Sequence, residues 1–170
     1  MKDEVTVPKW TWISAILLFL FILGFIVSPR DRNNRPILLL PDVKSVVDYR
    51  GSIVSWHKRL KGLDARLARI LSDDYRGDLF TQASEGQDIL DGTLQLLNEI
   101  EQTPAPAAAA PARDLAVAGG TAYLNAARAT LEWISAPTPA NLDSAQQALA
   151  AARSAMSDLE ASQWMAKTGR

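Results

Sequence analysis

The chain has no cysteine and a single histidine, His57. Without cysteine there is no disulfide, no thiolate nucleophile and no thiolate metal site, so any fold must be held by packing alone. One histidine excludes a two-histidine metal site, and a carboxylate metal centre on facing helices would want Glu-x-x-His. The residue three before His57 is Val54. Lying beside an apolar seam and next to Lys58, His57 is expected on a flank, facing solvent or a partner. Asp73 and Asp74 belong to a turn, where aspartate serves the local backbone. No glycine-rich loop follows a strand, because no strand pattern is present, and Gly119-Gly120 falls inside a helical one. The chain therefore reads as non-enzymatic, with no catalytic residue, metal or cofactor expected. Its 18 Lys+Arg against 19 Asp+Glu, net −1, lacks the concentrated basic surface that nucleic acid requires.

Charge is also absent where its absence matters most. Trp10 to Val27, WTWISAILLFLFILGFIV, holds eighteen residues without one charge. At 1.5 Å rise per residue such a run approaches the roughly 30 Å of a bilayer core. A soluble buried helix would need a polar face, and this run has none. A cleaved signal peptide would want small residues at its cut, whereas the run ends in Phe25-Ile26-Val27-Ser28-Pro29. The expectation is an uncleaved single-pass anchor over 10–28 after a tail at 1–9. Lys9, Trp10 and Trp12 on one side and Arg30 and Arg32 on the other are its interface residues. Lys2, Lys9 and the α-amino group balance Arg30, Arg32 and Arg35, so orientation is poorly fixed by charge. A nine-residue tail needs no export if it stays inside, which favours a cell-membrane protein with an extracytoplasmic domain.

Pro29, Pro36 and Pro41 break helix across a juxtamembrane linker at 29–41. Beyond it, 42–166 carries helical periodicity in four segments. In 42–71, Val46, Tyr49, Ile53, Trp56, Leu60, Leu63, Leu67 and Ile70 alternate spacings of three and four without a break. A second helix over 78–102 has a looser seam through Phe80, Ala83, Gln87, Leu90, Leu94 and Leu97, widened by Ile89, Leu96 and Ile100. The Pro/Ala stretch 103–112 then connects to helices over 113–135 and 139–166. The last of these has the seam Leu142, Ala145, Leu149, Ala152, Met156, Leu159, Gln163 and Ala166, ahead of a short tail at 167–170. Short connections make neighbouring helices antiparallel. The fold expected is all-α, a transmembrane helix followed by an antiparallel four-helix bundle of two hairpins.

Charge is dealt unevenly between those helices. Asp42 to Arg76 has eight basic and five acidic residues, whereas Gly77 to Gln102 has six acidic and no basic ones. The plain consequence is that these charges choose the hairpin partner. The sharper one is that Lys58, Arg59, Lys61, Arg66 and Arg69 form a surface for an anionic partner, with Trp133 and Trp164, off or at the edge of their seams, as further contact candidates. The function expected is a membrane-tethered interaction module, an accessory or assembly subunit of a membrane complex. Its partners would be the lipid bilayer and other membrane-complex proteins or a second copy. Alternative readings are a sensor-like bundle with a small-molecule pocket near Gly86, Gly92 and Gly119-Gly120, and a self-associating coiled coil.

Overall fold

The structure, a computed structural model, describes residues 9–27, 41–72 and 77–166, the side chains of residues 9, 11, 13, 25–27, 41 and 42 excepted. Among the described residues all regular structure is helical. The chain divides into two compact units, Met1–Lys44 and Ser45–Arg170.

The first unit carries α1 (Lys9–Val27), whose sequence has no charge after Lys9. Its described large apolar side chains, Ile16 to Leu23, are all exposed, as are Trp10 and Trp12. Among the described residues no helix is long and apolar enough to cross a membrane. The segment of the expected span is present as a helix, α1, with an apolar surface. Arg30, Arg32 and the linker before Pro41 lie outside the described residues, as do Asp73 and Asp74.

In the second unit α2 (Pro41–Ile70), from Ser45 onward, packs with α3 (Leu79–Gln102), α4 (Ala110–Ser135) and α5 (Pro139–Ala161) as a helical bundle. Pro41 opens α2 instead of closing the linker, since proline fits a first helical turn where its missing N–H is not needed. The uninterrupted seam of α2 is the spine of the core: Tyr49, Ile53, Trp56, Leu60, Leu63, Leu67 and Ile70 are all buried, and Val46 is partly so. Tyr49 and Trp56 meet edge to face, with ring centroids 5.6 Å apart.

Caps mark the other helices. The carboxylate of Asp78 accepts from Thr81 N–H at 2.7 Å to start α3. Thr138 accepts from Asn141 N–H at 3.2 Å to start α5, with Pro139 in its first turn. A 3-10 turn, Ala107–Ala109, leads into α4, which begins three residues before the expected 113 because alanine and a first-turn Pro111 are both compatible with helix.

Cross-helix contacts give the order. Arg59 reaches Glu99 and Arg69 reaches Glu85 between α2 and α3. Gly86 faces Leu131 and Ile134, and Gly120 faces Leu97, between α3 and α4. Tyr123 meets Met156 between α4 and α5, and Asp64 meets Arg153 between α2 and α5. For α2–α3 and α3–α4 one number falls as the other rises, as it does for α2–α5 once His57–Glu160 is added, so these neighbours run antiparallel.

The phase of α3 differs from expectation. Its buried stripe is Gln82, Gly86, Ile89, Thr93, Leu96 and Ile100, while Phe80, Gln87 and Leu94 face outward. Three polar or side-chain-less positions hide the true seam, and each has a physical reason. Thr93 Oγ donates to Ile89 O at 2.7 Å and so is satisfied inside its own helix. At Gly86 a Cβ would stand 2.8 Å from a Leu131 methyl, so glycine is what lets α4 approach. Gln82 lies at the end of the bundle, beside a cleft that includes Trp133 and Leu142.

The end of α5 also differs. The helix stops at Ala161, leaving Gln163 and Ala166 exposed. Ser162 turns the chain, its hydroxyl donating to Leu159 O at 2.6 Å, and Trp164 folds back into the core.

Candidate functional site

The expected basic surface lies along α2, on both of its flanks, and most of it is already paired. Toward α3, Glu99 receives Trp56 Nε1–H at 2.8 Å on one oxygen and Arg59 on the other. The Trp56 hydrogen bond, followed by Arg59, holds the Glu99 carboxyl below the usual carboxylate range. Arg66 reaches Glu85 at 3.7 Å and Asp88 at 3.9 Å, and Arg69 also pairs with Glu85.

Toward α5, Lys61 Nζ stands 2.9 Å and His57 Nε2 2.6 Å from the same oxygen of Glu160. Lys61 and then His57 lower the Glu160 carboxyl. His57 is therefore not on a solvated flank: α5 covers it, and the ring is buried against Glu160. No charge signal near His57 in sequence foretold a partner 103 residues away.

Below that pair, Asp64 receives Arg153 Nε–H at 2.8 Å and the Tyr123 hydroxyl at 3.1 Å. Burial, then the Asp64 charge, pushes the Tyr123 phenol well above its ordinary value. These polar groups join helices; none is arranged around an open space with a second reactive group. Among the described residues no cluster of three or more histidine or acidic side chains could hold a metal ion.

Of the expected contact residues, Lys58 alone in the basic series makes no ion pair among the described residues, and it is exposed. Trp133 is half-buried against the core and borders a cleft of about 250 Å³ with Ile70, Leu71 and Leu142. Trp164 is 9 % exposed. Its carbonyl accepts from Arg50 Nε at 2.9 Å, and Arg50 also bonds Ala166 O. It is thus part of the core rather than of an open surface. Trp10 and Trp12 are exposed on α1, and the side chain of Lys9 is outside the described set.

The glycines considered for a ligand niche are filled from within. Leucine side chains lie within 4 Å of the position a Cβ would take at Gly86, Gly92, Gly119 and Gly120. The clefts beside Trp164, beside Trp133 and beside Gly92 measure about 230, 250 and 270 Å³, short of the roughly 300–1,000 Å³ typical of small-molecule sites.

What sequence reasoning missed is on the outer side of α3. Phe80 is 83 % and Leu94 37 % exposed, having been assigned to the core. A helical wheel phased on Ile89, Leu96 and Ile100 alone would have placed both outward. No family model, no curated protein and no solved structure matches this chain.

Proposed function

We propose that the chain is a membrane-tethered, non-enzymatic helical interaction module, an accessory or assembly subunit of a membrane complex. In this reading α1 is the tether and α2–α5 the interaction module. The observation that carries it is the surface of α1: a row of exposed large apolar side chains from Ile16 to Leu23 in a helix uncharged after Lys9. Hydration of such a surface costs about 25 cal/mol per Å², which a bilayer would relieve. Exposed Trp10 and Trp12 suit the headgroup level. For the bundle, the support is negative space: its polar networks are used in joining helices and its glycines in packing them, which leaves the outer surface for recognition. In this reading the domain lies on the extracytoplasmic side of the cell membrane, because the short N-terminal tail then needs no export.

Fractionation of cells expressing the full chain tests the tether. The protein should stay in the membrane pellet through an alkaline carbonate wash, and Leu18→Lys with Leu20→Lys should release it. Recovery of the unaltered chain in the carbonate supernatant would overturn the anchor. Cross-linking in native membranes tests the subunit role, and recovery of the monomer alone under several chemistries would count against it.

A further inference from the structure

The side of α2 that turns away from the core has a repeat of its own. Val47, Gly51, Val54, Lys58, Lys61 and Ala65 alternate spacings of four and three, two residues out of step with the buried seam, and all six are exposed. Two residues amount to about 200° of helical turn, so the two stripes stand back to back. Val47 and Val54 leave 50 % and 47 % of their surface in water. Valine is a weak helix former, and at a water-facing position it gains no burial in exchange.

The charge on this stripe is of one sign. Lys58 makes no ion pair among the described residues, and Lys61 shares one Glu160 oxygen with His57. No acidic residue belongs to the stripe. Of the acids near its edges, Asp48 is about 100° round the helix from Val47, and Glu160, on α5, is already met by Lys61 and His57. Lysine's long stem can lie along an apolar surface while its ammonium stays at the polar boundary. Apolar side chains of shallow reach beside such lysines are what an interfacial helix offers a bilayer. The stripe is also the ridge of one helix and not a groove between two, which suits a deformable charged surface better than a rigid one.

We propose that this outer face of α2 rests on a bilayer surface bearing anionic headgroups, with Val47 and Val54 turned into the boundary between headgroups and acyl chains and Lys58 and Lys61 at the phosphates. The inference rests on the reading of α1 as a tether. Thirteen residues, 28–40, separate α1 from α2, and a short linker holds tethered parts at an effective concentration of about a millimolar. At that concentration a contact too weak to recruit a free bundle is enough. The contact lays about 27 Å of α2, from Val47 to Ala65, along the surface, and leaves the outer side of α4 in water.

The full chain reconstituted into vesicles tests it, because a chain without cysteine accepts a single reporter thiol. An environment-sensitive dye on Val54→Cys should shift to the blue in phosphatidylcholine vesicles containing phosphatidylglycerol, and nitroxide carried on the lipid chains should quench it. The same dye on Asn125→Cys, exposed on α4, should show neither response. Both responses at Val54 should be lost in phosphatidylcholine alone, and lost again when Lys58→Glu is added, while the circular-dichroism melt is unchanged because Lys58 is outside the core. A Val54 dye that stays in water on the anionic vesicles overturns the inference. So does one shielded from water but beyond the lipid quencher, which would mean that protein covers the face. A response indifferent to phosphatidylglycerol and to Lys58→Glu overturns the assignment to anionic headgroups. If the chain fails to float with neutral vesicles, the tether falls and this inference with it, whereas a chain that floats with its Val54 dye in water keeps the tether and overturns the inference alone.

Discussion

The indole N–H of Trp56 donates to a carboxylate oxygen of Glu99 at 2.8 Å, across the α2–α3 contact. Trp56 is fully buried and Glu99 half-exposed, so one residue carries a core hydrogen bond and a surface ion pair at once. Glu99→Ala leaves the indole without its partner and should cost about 1–3 kcal/mol. Glu99→Gln retains an acceptor for Trp56 and loses only the exposed Arg59 pair, worth about 0–1 kcal/mol. Urea unfolding followed by tryptophan fluorescence measures both; equal losses would show that the indole bond contributes nothing.

Acid should weaken the bundle in a definite window. Asp78, Glu99 and Glu160 all have lowered carboxyl pKa values, through the Thr81 N–H, Trp56 and Lys61 respectively. A depressed folded pKa gives stability that is present above the unfolded value, about 4, and lost as pH falls through the folded one. Thermal melts should therefore be flat near neutrality and fall below pH ~4. Glu160→Gln should make that fall shallower, and an unchanged slope would remove Glu160 from the account.

At the alkaline end the sign reverses. Tyr123 has a raised phenol pKa, from burial first and the Asp64 charge second. Its contribution is whole below the unfolded value of about 10 and is lost as pH rises beyond it. Absorbance near 295 nm, the tyrosinate band, should show Tyr123 ionising only together with unfolding. In Tyr123→Phe that alkaline loss should shrink, at a cost of about 1 kcal/mol at neutral pH for the missing hydrogen bond.

Glycine positions in the helices should respond with opposite signs. Gly51 and Gly62 have open space where a Cβ would go, so alanine there should stabilise by up to about 1 kcal/mol through helix propensity. At Gly86 the same change meets Leu131 at 2.8 Å and Ile134 at 3.3 Å, and overpacking of about 1–3 kcal/mol outweighs the propensity gain. Denaturant midpoints of the three single variants decide this; a stabilised Gly86→Ala would mean that Leu131 yields freely.

The α2 seam was legible in sequence because each of its buried positions is a large apolar residue. That of α3 was not, since Gln82, Gly86 and Thr93 face the core while Phe80 and Leu94 face out. Hydrophobicity alone phases a helix wrongly when threonine satisfies itself on its own backbone and glycine is used for closeness. For the site, the basic bias of one helix and the acidic bias of the next were visible as composition. The pairing of His57 and Lys61 with Glu160, and the burial of Trp164 under the turn after α5, depend on a contact between α2 and α5 that no local pattern encodes.

Asp64 binds Tyr123 of α4 and Arg153 of α5 from its place on α2. Leucine and alanine ridges would tolerate a slide of one helical turn, about 5.4 Å, with similar apolar neighbours on offer at the new position. One carboxylate shared by three helices does not tolerate it, because any such slide strands a buried phenol and an arginine together. The mutual register of α2, α4 and α5 is thus held in part by one aspartate that no apolar pattern would single out. Replacing it should yield a domain still helical but free to settle in more than one alignment.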